Sequence, residues 1–237
     1  MVCVWEYDKR PVNNASFVYF GMRLMASDTP KSQELIRYAD GVLDALGIMQ
    51  GPSHMEVMYC NDGPCLVEVG SRCHGGEGSW LPVAQECIGY TVVSVTLDVY
   101  TNGPLFDTIN ATNFTKSKAG REVDMVCRHG GVVRALKGDP IIRALPSFRS
   151  FNWEVKVGDY QPATIDCFTR PGSVQLCHES EEQVEADLEA IHDLEDLGLF
   201  DYSLICPVPP VIGSVVVVSV IYVICTMFYF HVPYALS

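Results

Sequence analysis

Residues 51–76 read GPSHMEVMYCNDGPCLVEVGSRCHGG, and this stretch decides the fold. Alternation over residues 53–59 places His54, Glu56 and Met58 on one face of a strand and Met55, Val57 and Tyr59 on the other. Asn61-Asp62-Gly63-Pro64 is a dense turn signal. The return strand, residues 65–70, puts Leu66, Glu68 and Gly70 on one face. If residues 60–64 form the connection, Glu56 stands directly opposite Glu68, with Cβ atoms roughly 5 Å apart. Two carboxylates so placed repel each other. A divalent cation between them reverses that sign, because Mg²⁺ prefers hard oxygen ligands. The alternative is a register slipped by one residue, with one glutamate facing water.

These residues carry a resemblance. His54-x-Glu56, the Gly-Pro turn, and Leu66-Val67-Glu68-Val69-Gly70-Ser71-Arg72 followed by Gly75-Gly76 resemble the metal-binding half of an ATP-grasp ligase. The nearest branch is the carbamoyl-phosphate-synthase-like and amino-acid ligase group. The resemblance spans residues 2–200 and corresponds only to the C-terminal portion of such an enzyme. It implies that Glu56 and Glu68 hold Mg²⁺ (or Mn²⁺) on the phosphates of ATP and that Arg72 faces the acyl phosphate or substrate. Gly75 and Gly76 then let the backbone approach the nucleotide closely. The family pattern is Glu-x-Asn-x-Arg, with Asn as a further metal ligand. Here that position is Gly70, so one ligand is absent or replaced by water. His54, His74, Trp80 and Glu6 are the candidate residues of the substrate pocket.

Composition excludes several functions. A formal net charge of −13 leaves no basic stripe for nucleic acid and no attraction to anionic lipid. The 10 cysteines are dispersed without a C-x-x-C, and the start, MVCVWEYDKR, is charged where a signal peptide needs an apolar run. Both features read as a reduced, intracellular protein. Cys60, Cys65, Cys73 and His74 fit no familiar zinc spacing.

In chain order, residues 2–7 and 17–21 read as two strands across a loop. Asp28 or Thr29 caps a helix that Pro30 opens, with Leu35, Ala39, Val42, Leu43 and Leu46 as its apolar stripe and Gly47 as its stop. Residues 81–88 and 91–100 read as helices; the second is rich in Val and Thr, so a strand is the alternative there, with length and register favouring the helix. Strands are expected over 122–128, 130–136, 151–157, 163–168 and 172–177. Ser180-Glu181-Glu182-Gln183 matches a capping box ahead of an amphipathic helix ending near Gly198, its acidic face turned to solvent. Residues 211–230, VIGSVVVVSVIYVICTMFYF, carry no charge and are long enough to cross a bilayer as a helix; such β-branched runs also suit a buried strand, but no sheet is left over to take one.

The expected fold is α+β: an ATP-grasp C-terminal lobe, an antiparallel sheet with flanking helices, over residues 1–110; a small β-rich subdomain with a closing helix over 111–205; and a hydrophobic C-terminal helix over 208–232. The resemblance implies a fragment of an ATP- and Mg²⁺-dependent carboxylate–amine ligase acting through an acyl phosphate on small carboxylate and amine substrates. It lacks the lobe that cradles the triphosphate and is expected to be inactive alone. The rival reading is a non-catalytic, membrane-tethered scaffold built on the same fold. The expected location is the membrane, by a single C-terminal pass with the ligase-like part in the cytoplasm. If the tail does not belong to the protein, the location is the cytoplasm alone.

Overall fold

The computed structural model of the chain describes residues 3–109, 114–203 and 222–230. The strands are β1 (Cys3–Val12), β2 (Ala15–Leu24), β3 (Gln50–Cys60), β4 (Gly63–Gly70), β5 (Ala119–Asp124), β6 (Gly131–Ala135), β7 (Phe148–Trp153), β8 (Tyr160–Gln161), β9 (Gly172–His178), β10 (Asp201–Ser203) and β11 (Tyr222–Phe230). The helices are α1 (Pro30–Leu46), α2 (Leu81–Ile88), α3 (Val92–Tyr100), α4 (Leu105–Thr108), α5 (Asp139–Arg143) and α6 (Glu181–Leu197). They form two compact units. The first holds residues 3–6, 24–109, 114–117 and 222–230, and the second 7–23 and 118–203. The chain passes between them within β1 and at the end of β2, so the units interleave in sequence, whereas the expected domains followed one another at residue 110.

In the first unit, β4 pairs with β3, β3 with β11, and β11 with the start of β1, every neighbour antiparallel. Helix α1 packs on one face. The Thr29 hydroxyl accepts from the Ser32 N–H at its start, and Gly47 closes it in the left-handed region at φ 66°. Leu35, Ile36, Ala39 and Leu43 bury against Val4, Met55 and Val57. Leu46, expected in that stripe, is 55% exposed, because it lies in the last turn beyond the sheet contact. Helix α3 forms despite its Val and Thr, since Thr91 and Ser94 close a reciprocal capping box.

The hydrophobic helix expected over 208–232 is corrected where the structure describes it. Residues 222–230 are strand β11, paired with Gln50–Met58 of β3 and with Cys3–Glu6 of β1. Residues 208–221 and 231–232 lie outside the described residues. The run YVICTMFYF is β-branched and aromatic, which suits a strand. β3 pairs with its main chain along the whole strand, and β1 with residues 223–226 on the other edge. Among the described residues no helix is long and apolar enough to cross a membrane.

In the second unit, β2, β5, β9 and β7 pair antiparallel, and β10, β6 and β8 form a second small sheet. Helix α6 buries Val184, Leu188 and Ile191 against Val123, Val174 and Leu176. Its acidic face does not all meet solvent as expected. Asp187 accepts from the Ser147 N–H and hydroxyl, and Glu195 from the Val126 N–H, so both carboxylates turn inward. Residues 163–168 are not the expected strand. The Ile165 and Asp166 N–H groups both donate to the Thr169 hydroxyl, which folds the segment into a turn.

Gly21 shows how tightly β2 and β5 approach. It sits at φ 122°, and a Cβ there would lie 2.0 Å from the Glu122 carbonyl oxygen. Gly21→Ala is expected to destabilise the second unit by at least ~2 kcal/mol, with faster amide exchange at Met22 and Arg23; a melting temperature equal to wild type contradicts this.

Candidate functional site

The β3–β4 hairpin places Glu56 directly opposite Glu68, and His54 directly opposite Gly70. The expected pairing is therefore present, but reached by another route. Cys60 pairs with Gly63, leaving the two-residue turn Asn61-Asp62, and a bulge between Glu56 and Val57 then shifts the register by one residue. Val67 is the extra residue. Directly opposed residues point to the same side of a sheet, so both carboxylates share one face. Met55 and Val57 bury on the other face against α1. That burial pins the register, because a one-residue slip would turn them to water.

The same face continues across the sheet. Trp5 of β1 pairs with Ile224 of β11, which pairs with Glu56, and Cys3 stands in the same way through Thr226 in the row of His54. Four rings follow one another there: His54 stacks on His74 at 4.4 Å, His74 meets Trp80 at 5.4 Å, and Trp80 meets Trp5 edge-on at 6.0 Å. The Trp80 indole N–H donates to the Gly75 carbonyl, which ties the glycine loop to this column. Gly76 takes φ 64°, and a Cβ there would lie 3.5 Å from His74 Nε2 and 3.8 Å from Trp80. It is the left-handed backbone, not the space beside the rings, that favours glycine here, since a Cβ would meet both only at ordinary contact distance.

Both imidazoles are held neutral. Burial, reinforced by the Arg72 cation, pushes His54 down to about 4. Burial, the neighbouring His54 and Arg72 push His74 down to about 3. Neither ring nitrogen of His54, nor Nδ1 of His74, has a hydrogen-bond partner among the described residues. The sign of the pH effect follows. Unfolded histidine titrates near 6.5, so between that value and the folded values the unfolded chain binds more protons. The contribution is fully present above pH 6.5 and is lost as pH falls toward 4 and 3. We expect the first unit to lose about 2 kcal/mol per imidazole between pH 7 and pH 5, read from Trp5 and Trp80 fluorescence in urea. The double variant His54→Phe, His74→Phe should lose that slope, and an unchanged slope contradicts the assignment.

Of the expected site residues, the structure brings His54, Glu56, Glu68, Arg72, His74, Gly75, Gly76 and Trp80 to one region of the first unit. Glu6 stands apart. It shares the face of Val4, not that of Trp5, and its carboxylate pairs with Lys31 of α1 at 2.7 Å. Trp5 belongs to the region and was not singled out in the sequence, because only the sheet pairing carries it there.

The donor set suits a hard divalent cation. Glu68 is exposed, Glu56 half-buried, and both are carboxylates on one face. Among the described residues, no group of three or more His, Cys, Asp and Glu side chains is placed to hold a metal. Any ion at the pair therefore takes its remaining ligands from elsewhere, as with nucleotide phosphates and water.

The fold is similar to that of known ligases and synthases. No family model matches the chain. Dapdiamide A synthase of Enterobacter agglomerans is 26% identical over 204 residues, covering 84% of this chain and 47% of that one. An L-amino acid ligase from Bacillus licheniformis superposes with a TM-score of 0.61 at 16% identity, covering 85% of this chain and 52% of that one. An N5-carboxyaminoimidazole synthase from Aspergillus clavatus, solved with ADP and 5-aminoimidazole ribonucleotide, superposes at 0.51 and 13% identity, covering 82% and 51%. Over the part covered, the chain shares with these solved structures a mixed α/β, ATP-grasp-like fold with antiparallel sheets. It spans about half the length of the curated relative it matches.

Proposed function

We propose that the chain is the metal-binding part of an ATP- and Mg²⁺-dependent carboxylate–amine ligase, of the kind that joins amino acids. One observation carries this reading: Glu56 and Glu68 directly opposed on one face of a hairpin that runs into Arg72 and a glycine loop. In the reaction, a substrate carboxylate oxygen attacks the γ-phosphorus of ATP, giving an acyl phosphate and ADP. An amine then attacks the acyl carbon, inorganic phosphate leaves and the amine proton passes to solvent. The divalent ion, when bound, neutralises charge on the phosphates. Glu56 and Glu68 hold that ion, Arg72 faces the transferred phosphoryl or acyl oxygen with a fixed guanidinium fork, and the ring column of His54, His74 and Trp80 walls the substrate side. The rival reading, a non-catalytic scaffold, draws on Gly70 standing where the family pattern has a metal-ligating Asn.

The test is a chimera. Residues 3–203 replace the matching part of dapdiamide A synthase, and ADP release is measured with ATP, Mg²⁺ and amino acids. We expect turnover from the chimera and none from the chain alone. An inactive but folded chimera contradicts the ligase reading, and ADP formed by the chain alone contradicts the expectation that these residues do not turn over ATP by themselves.

A further inference from the structure

Gly70 stands where the Glu-x-Asn-x-Arg pattern has its Asn, and the structure shows what fills its space. The Arg72 N–H donates to the Gly70 carbonyl at 2.9 Å, a tight turn across Ser71 that brings Arg72 back over the end of β4. A Cβ on Gly70 would stand 3.5 Å from Arg72 Cγ and 3.6 Å from both Nε and Cζ. The guanidinium therefore lies above the strand where a longer side chain at 70 would project. It is held there by its own Nη1, which donates to the Cys73 carbonyl at 3.1 Å. Across the hairpin from Gly70 is His54, and the Arg72 charge acts on both His54 and His74.

We propose that Gly70 is a positioning residue, whose missing side chain is the seat of the Arg72 guanidinium. A metal-ligating side chain at 70 and this placement of Arg72 exclude each other. The hairpin thus exchanges a third metal ligand for a cation beside the stacked rings of His54 and His74. That corner suits an anionic oxygen, a carboxylate or an acyl phosphate. This last assignment rests on the ligase reading, whereas the seating of Arg72 does not.

Steric grading separates a positioning role from a backbone one. The backbone of Gly70 is not in the left-handed region, and a bare Cβ meets Arg72 only at ordinary contact distance. Gly70→Ala therefore leaves Arg72 in place. Gly70→Asn adds atoms beyond Cβ that run into the guanidinium, and Arg72 must leave. The probe is NMR on the full chain with labelled arginine, reading the cross-relaxation peaks between the Arg72 side chain and the Hα of residue 70. We expect these peaks in wild type and Gly70→Ala, and their loss in Gly70→Asn with an unchanged melting temperature. If Gly70→Asn does not fold, Gly70→Ser, whose hydroxyl reaches toward the same atoms, replaces it. Peaks lost in Gly70→Ala, or retained in the larger variant, overturn the proposal. Neither result depends on ATP or on turnover, so a failure here is distinct from a failure of the ligase reading.

Discussion

Arg170→Met is expected to destabilise the second unit by about 3–5 kcal/mol, among the largest single-site costs in the chain. The guanidinium is 12% exposed and bridges two carboxylates, Asp124 at 2.5 Å and Glu154 at 2.8 Å. Removing it leaves Asp124, 9% exposed, as an unpaired buried charge. Asp124→Asn should cost far less, because Arg170 keeps Glu154. The pH signature follows from burial, which pushes Asp124 up to about 6 against the opposing pull of Arg170. A carboxyl whose folded value is raised favours the folded state at acid pH, and that contribution is lost as pH rises through about 6. The deficit of Arg170→Met should therefore shrink as pH is lowered from 7 to 5, where a neutral Asp124 no longer needs the cation. Urea unfolding of both variants at the two pH values checks this. Equal costs for the two variants contradict the account.

Glu68→Ala in the active chimera should lower ADP release on the order of a hundred-fold or more, with saturating Mg²⁺ failing to restore it. The side chain is exposed and supports no core packing, so its removal should change stability by no more than about 0.5 kcal/mol. A loss of activity without a loss of stability separates a metal-holding role from a structural one. Unchanged turnover removes Glu68 from the site.

The carboxylate pair was legible because strand alternation has a period of two and the buried partners Met55 and Val57 fix its phase. The route to it was not. A five-residue connection and a two-residue turn with one bulge place Glu56 against the same partner, and nothing in the composition of residues 61–67 distinguishes them. The ring column was legible only as scattered candidates. His54, His74 and Trp80 were named from their neighbourhood to the glutamates, while Trp5 reaches them only through pairing with a strand more than two hundred residues later. Glu6 was misplaced by proximity in sequence to a charged cluster, since its parity puts it on the α1 side with Val4. Valine-rich runs are ambiguous in both directions. Val92–Tyr100 is a helix because a capping box starts it, and Tyr222–Phe230 is a strand because two strand edges accept it. Neither cause is visible in hydropathy.

The most direct measurement is Mn²⁺ binding to the chain itself, followed by electron paramagnetic resonance, for wild type, Glu56→Gln and Glu68→Gln. The account predicts uptake by wild type and at least a ~10-fold weaker affinity in each variant, about 1.4 kcal/mol apiece. Affinity unchanged by either substitution, or no uptake by the wild type, contradicts it.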